Sequence, residues 1–527
     1  MNELLTTSLL WRMAVRVAAW LRGCAVGRWL AALGRLWRES AIYRAAARLL
    51  QSKTAAEGSA LHRLLAGRSE RLHRHGQGLR RLWHGSLLYR LWGGILALCR
   101  RSVLLRGIGQ GGMTSLLLCI IALYAPIDWL LRDIFQIALL SSVWDELLML
   151  LCLCWLLMRR MTAKRPLPTA LNDQDVFIAF YLLCAFALLS VTFRFADINI
   201  SGLRASVQYM LLFFLVTRLL RTQDDLLLTY RVMVLSAFFI ALYGIWQFVV
   251  GVEIPSHWQD QAETAVRTRV FGIFSNPNIM GAYMLLFAPM AIGLAYYETA
   301  PAKRAFWWLC GICMCLGCLF TMTRSAWLAL AAAAVLFALL IDRKLFFLML
   351  LAGCVACLLP FVRSRIGYLF TPQFQESNAR AGRAKRWSAA FGYLDEHYAW
   401  KTGLGYGIFG GAVAAQNPIN PDFEYMYVDN YYVKILVENG IAGLSALIVM
   451  LLGLLGGGIR AIARAARSPR KALCAGMFAG MVGILIQSFF ESLWEEPYMM
   501  ALFFAVAGML IFAGFLCGET DNETKES

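Results

Sequence analysis

Charge is scarce in this chain: 16% of its 527 residues are Asp, Glu, Lys or Arg, where soluble domains carry about a quarter. Histidine is rarer still, at six residues. No low-complexity tract or internal repeat stands out. Matching broken helices of the kind that mark many transporters are also missing. What fills the space is apolar: 60% of residues are hydrophobic and the mean hydropathy is +0.60. Several apolar runs reach the roughly 20 residues that cross a bilayer as a helix. Because lipid leaves no water for unpaired backbone groups, such runs imply a helical bundle.

The expected fold is therefore all-α, a polytopic membrane bundle of about twelve transmembrane helices. The spans read as 113–131, 141–158, 174–193, 204–220, 224–250, 277–297, 305–322, 325–341, 345–362, 430–457, 472–492 and 497–517. The positive-inside rule orients them. With the N-terminal region cytoplasmic, the basic connections around Arg159, Arg218, Lys303, Arg343 and Arg460–Lys471 all fall inside. Both termini are then cytoplasmic, in the inner membrane of a bacterium, and residues 363–429 form a large external loop between helices 9 and 10. Long connections of this kind are functional or disordered, and the aromatic content of this one argues for a folded segment.

The net charge of +18 is concentrated. Residues 1–110 hold 19 basic and 4 acidic residues, against 31 and 28 in the remainder. Two readings of this segment compete: nucleic-acid binding, and amphipathic helices on an anionic cytoplasmic leaflet. Trp11, Trp20, Trp29, Trp37, Trp83 and Trp92 suit an interface and favour the membrane, with no nucleic acid. The domain organisation expected is 1–110 as this surface region, 111–517 as the membrane domain and 518–527 as a cytoplasmic tail. Fourteen cysteines include the cluster Cys310, Cys313, Cys315 and Cys318 and the pair Cys354 and Cys357. Both sets lie in apolar runs away from His and carboxylates, so they read as small hydrophobes and no metal site is expected.

Arginine on the external side is harder to dismiss. Arg204, Arg269, Arg324 and the loop residues Arg380, Arg383 and Arg386 gather at the face that should be poor in positive charge. Snorkelling, or pairing with carboxylates such as Asp197, is the structural alternative. A bound anion is the functional one, because guanidinium grips phosphate in a bidentate fork that lysine lacks.

The same segments resemble the bacterial O-antigen ligases and O-antigen polymerases. Arg269-Val-Phe-Gly-Ile-Phe-Ser-Asn-Pro-Asn278, continued by Gly281, Tyr283 and Pro289, is similar to that family's turn before a helix. Thr323-Arg324-Ser325-Ala326 resembles its small-residue/Arg turn. Arg383 with Trp387, then Gly403-Leu-Gly-Tyr-Gly-Ile-Phe409, resembles its periplasmic loop. Asn430, Tyr432, Glu438, Gly440, Ile441, Gly443 and Leu444 match the segment that opens the next helix. The likeness runs from about residue 170 to 515 and leaves the first 110 residues outside.

The resemblance implies metal-independent, inverting glycosyl transfer without a cofactor. The donor would be a polyprenyl-pyrophosphate-linked glycan and the acceptor a glycan or lipid. Arg204, Arg269 and Arg324 would offset the pyrophosphate charge, while Arg383, Asn430 and Tyr432 bind substrate. Family ligases commonly place a His before the signature Asn; here Asp429 stands there, which looks more like the polymerases. Asp429 is then either a general base or the cap of the following helix. Glu438 pairs with Lys434 on one helix face, and Gly403, Gly405 and Gly407 shape a turn. A transporter or flippase for an anionic lipid-linked substrate, and a membrane scaffold, are the competing classes.

Overall fold

The computed structural model describes residues 111–162, 172–253, 268–274, 276–372, 375–376, 382–417 and 428–526, with scattered positions before 111. The amphipathic helices expected over residues 1–110, and Arg380, lie outside the described residues. Residues 84–158 and 170–527 form one compact unit, described here. All regular structure among its described residues is helical.

Seventeen helices follow in order among the described residues. They are α1 (Met113–Ala122), α2 (Tyr124–Trp129), α3 (Ala138–Thr162), α4 (Asp173–Thr192), α5 (Ala196–Val207), α6 (Leu211–Leu219) and α7 (Gln223–Val250). Then come α8 (Pro277–Tyr297), α9 (Pro301–Phe320), α10 (Arg324–Leu340) and α11 (Arg343–Leu358). The long connection carries α12 (Pro360–Gly367), α13 (Arg383–Glu396) and α14 (Ala412–Gln416), and α15 (Tyr431–Arg464), α16 (Arg470–Gln487) and α17 (Pro497–Glu526) close the chain.

Each of the twelve expected spans has a helix at its place, and nine helices among the described residues are long and apolar enough to cross a membrane. The other three differ for identifiable reasons. The first span is the α1–α2 pair, bent by 71°. Helices α10 and α11 have 17 and 16 residues, about 26 and 24 Å at 1.5 Å per residue, short of a hydrocarbon core of about 30 Å.

The buried centre is α8, packed on α16 and α9. Small residues permit the α8–α16 approach, as is usual where lipid offers no hydrophobic contrast. A Cβ on Gly480 would come within 2.3 Å of the Leu286 carbonyl, and one on Gly476 within 2.6 Å of that of Pro289. Asn276 caps α8 by accepting from the Asn278 N–H at 2.8 Å, and Pro277 takes the first helical position, where its missing N–H costs nothing.

Helix α15, expected to be continuous, is broken at Gly440, which has φ 66°. The break frees backbone groups, and the long connection takes them. Leu404 N–H donates to Val437 O at 2.9 Å and Gly405 N–H to Glu438 O at 2.8 Å; Ile441 and Ala442 donate back to Trp400 O and Lys401 O at 2.8 and 3.2 Å. A Cβ on Gly440 would stand 2.4 Å from the Lys401 backbone. Gly440→Ala is therefore expected to cost more than about 1 kcal/mol, read as a lowered melting temperature in detergent; unchanged melting would mean the docked connection is not held through this break.

Candidate active site

The C-terminal ends of α7, α9 and α16 meet the starts of α8, α10 and α15 at one end of the bundle. The segment before α8 is pinned there by Gln247 of α7, which is buried. Its side-chain oxygen accepts from the N–H groups of Phe271 and Gly272 at 3.2 and 2.8 Å, and its amide donates to Gly272 O at 3.1 Å. This fixes the adjoining Arg269, which is itself buried. Arg269 donates from Nε to Thr321 O at 3.2 Å, and from Nη2 to Asn278 Oδ1 at 3.2 Å and Thr323 Oγ1 at 3.3 Å. Thr323 in turn donates to Asn278 Oδ1 at 3.0 Å, and Asn278 Nδ2 donates to Glu491 at 2.5 Å. Asn278 is thus a hub joining α8, the α9–α10 turn and the α16–α17 connection.

Arg324 opens α10 and donates to Arg365 O at 3.3 Å, with its guanidinium 5.8 Å from the Tyr368 ring centre. Arg365, buried on α12, donates from Nε to Met322 O at 3.0 Å. Arg383 is the first residue of α13. These four arginines, with Asn278, Thr323 and Ser325, line a cavity of about 140 Å³. No carboxylate among the described residues lines it. Burial foremost, then the charge of Arg324, pushes the Arg269 guanidinium down to about 10, with Glu491 pulling the other way. At neutral pH Arg269 keeps its charge, so the cavity concentrates positive charge in a place where water is a poor screen.

Asp429 sits beside this cavity through Arg383. Its Oδ2 accepts from Arg386 at 2.5 Å and lies 3.7 Å from Arg383 Nε. Trp387 of the same helix donates to Val428 O at 3.0 Å. The capping alternative for Asp429 is not what the structure contains. Asn430 is the N-cap of α15, accepting from the N–H groups of Tyr432 and Val433 at 3.0 and 3.1 Å. Asp429 instead adopts φ 45°, a left-handed conformation that Asp and Asn tolerate better than most residues.

Of the residues singled out by sequence, Arg269, Arg324 and Arg383 thus surround one cavity and Asp429 adjoins it. Asn430 spends its side chain on the cap. Tyr432 donates to Leu485 O at 2.8 Å and packs its ring 4.4 Å from that of Phe489, so it ties α15 to α16. Arg204 is not brought to the cavity: it is exposed, pairs with Glu146 of α3 and donates to Gln208 at 2.8 Å. Gly403, Gly405 and Gly407 do form a turn, with φ of 77°, 111° and 73°. The turn is clasped by Asn199, whose Nδ2 donates to Tyr406 O at 2.7 Å. Arg365 and Glu491 escaped the sequence reading. Arg365 follows Pro360 in a short charged stretch that reads as the membrane edge, and Glu491 is a single carboxylate at a helix end.

Residues 309–448 match the family model described as O-antigen ligase. The match runs from α9 into α15, taking in Arg324, Arg365, Arg383, Asp429, Asn430 and Tyr432; Arg269 and Asn278 precede it. No curated protein matches the chain. The chain therefore carries an O-antigen ligase domain within a multi-pass helical membrane bundle, and its role is glycan transfer of the ligase or polymerase type.

Proposed function

We propose that this domain moves a glycan from a polyprenyl-pyrophosphate donor to a glycan or lipid acceptor by a single displacement with inversion, at the outer face of the cytoplasmic membrane. The cavity ringed by Arg269, Arg324, Arg365 and Arg383 is the observation that carries the reading. In the reaction an acceptor hydroxyl oxygen bonds to the anomeric carbon while the bond from that carbon to the pyrophosphate oxygen breaks. The electron pair leaves with the lipid pyrophosphate, and preorganised guanidinium groups stabilise the charge as it develops. Asp429 takes the hydroxyl proton, its carboxylate aimed by Arg386 and Arg383. No step calls for a metal ion or a cofactor. Arg204 lies apart from this cavity and is a candidate for contact with a more distant part of donor or acceptor.

The outer-face assignment rests on the distribution of basic connections, since the opposite end of the bundle carries Arg218, Arg304, Arg464 and Arg467. A flippase would want its charged groups near the membrane midplane, whereas these sit at one end. Purified protein given labelled polyprenyl-pyrophosphate glycan and acceptor in detergent, with a chelator present, is expected to form conjugate or polymer. Inorganic pyrophosphate is expected to compete. Movement of label across vesicles without any transfer would favour the flippase instead. For orientation, Tyr398 is 93% exposed, so a Tyr398→Cys variant is expected to react with an impermeant maleimide from the outside; labelling only from the cytoplasm would invert the scheme.

A further inference from the structure

A second cavity, of about 30 Å³, lies between the start of α15, the Leu493–Glu495 turn, α5 and the Gly407–Ala414 segment. Its wall holds Lys434 and Glu438, both buried, and Glu495, whose side chain is 11% exposed. Lys434 Nζ stands 2.8 Å from Glu495 Oε1 and 3.4 Å from Glu438 Oε2. Both contacts are close ion pairs, the one to Glu495 the tighter. Tyr431 Oη and Trp494 Nε1, on side chains that are 2% exposed, line the same cavity and have no hydrogen-bond partner among the described residues. Room is made by Gly411, where a Cβ would fall 1.8 Å from Glu495 Oε1.

The charges do not balance. One ammonium faces two carboxylates, and the other titratable groups close by are Tyr181 and Cys184 of α4 and Tyr406 and Tyr431, all neutral at pH 7. An uncompensated buried charge costs several kcal/mol, and the common remedy is to change protonation state. A space of about 30 Å³ exceeds the roughly 10–15 Å³ that holds a water molecule, and two donors face it. We propose that this cavity is a binding site for one proton and one water molecule, with the proton on Glu438. Glu495 keeps its charge because its contact with Lys434 is the shorter one and because it also accepts from the Ala412 N–H. Glu438 is fully buried, has the longer contact with Lys434, and accepts from the Phe409 N–H at a long 3.3 Å. The neutralised triad clasps the long connection to α15 and to the turn before α17, the same connection that brings Arg383 to the first cavity.

Infrared spectroscopy of the full chain in detergent tests this apart from any transfer assay. The spectrum of wild type minus Glu438→Gln is expected to contain one protonated-carboxyl carbonyl band that shifts in D₂O. Wild type minus Glu495→Gln is expected to show loss of a carboxylate band instead. Glu438→Gln should melt close to wild type, because an amide reproduces a neutral acid in shape and hydrogen bonding, whereas Glu495→Gln should melt several degrees lower. No acid band lost in Glu438→Gln, or its loss only in Glu495→Gln, would overturn the proposal. So would failure of Glu438→Gln to fold, or a melting temperature that rises with sodium concentration, which would put a small cation where the proton is assigned.

Discussion

Replacing Arg269 with lysine is expected to lower turnover by about 10²–10³-fold, the range seen when one donor to a developing negative charge is removed, while melting stays near that of wild type. Lysine keeps the positive charge but not the planar fork. At this position the fork reaches three acceptors on three segments: Thr321 O, Asn278 Oδ1 and Thr323 Oγ1. Those contacts hold the guanidinium plane still beside the cavity, and a flexible ammonium held by fewer of them presents its charge less accurately. Arg365→Lys makes a paired test, since Arg365 is buried on the same cavity and held by Met322 O. Steady-state rates with the polyprenyl-pyrophosphate donor, together with melting curves, decide the matter. Near-normal rates in both variants would remove the pyrophosphate from this cavity.

Asp429→Asn has the larger expected effect, a loss of about 10²–10⁴-fold in rate if the carboxylate accepts the proton. The substitution is conservative where structure is concerned. Asparagine tolerates the left-handed conformation at φ 45° at least as well as aspartate, and the cap of α15 is supplied by Asn430, not by this residue. Loss of negative charge beside Arg386 and Arg383 is the one confounding change, and it makes a separable prediction. If Asp429 only positions Arg383, donor affinity should suffer while the maximal rate holds. If Asp429 is the base, the maximal rate falls. Rates within a few-fold of wild type would discard the base.

The helical membrane bundle was legible because its cause is local. Apolar runs of bilayer length, read one at a time, identify spans without reference to their neighbours, and each of the twelve has a helix in the structure. Where the reading needed correction, a second segment was involved. A continuous α15 looked right from hydropathy, yet Gly440 breaks it, because the Trp400–Gly405 segment supplies the hydrogen bonds that the broken turn gives up. Pairing Glu438 with Lys434 followed from their i, i+4 spacing, but Glu495, more than fifty residues on, completes the triad.

For the site the division is similar. Sequence alone determined that arginines collect at one end of the bundle, because turn positions and span parity are one-dimensional facts. Which of them share a cavity was decided only by the tertiary structure. Arg204 and Arg269 look equivalent along the chain, both near helix ends on the same face, yet Arg204 is turned to Glu146 and Arg269 to the cavity. The cap is a finer case, since Asp429 and Asn430 both suit that role by residue type, and the backbone assigns it to Asn430 by placing its oxygen against two free N–H groups of α15. Hydropathy and charge sum along the chain and can be read from it; the direction of a side chain depends on what packs around it, and that comes from segments far away in sequence.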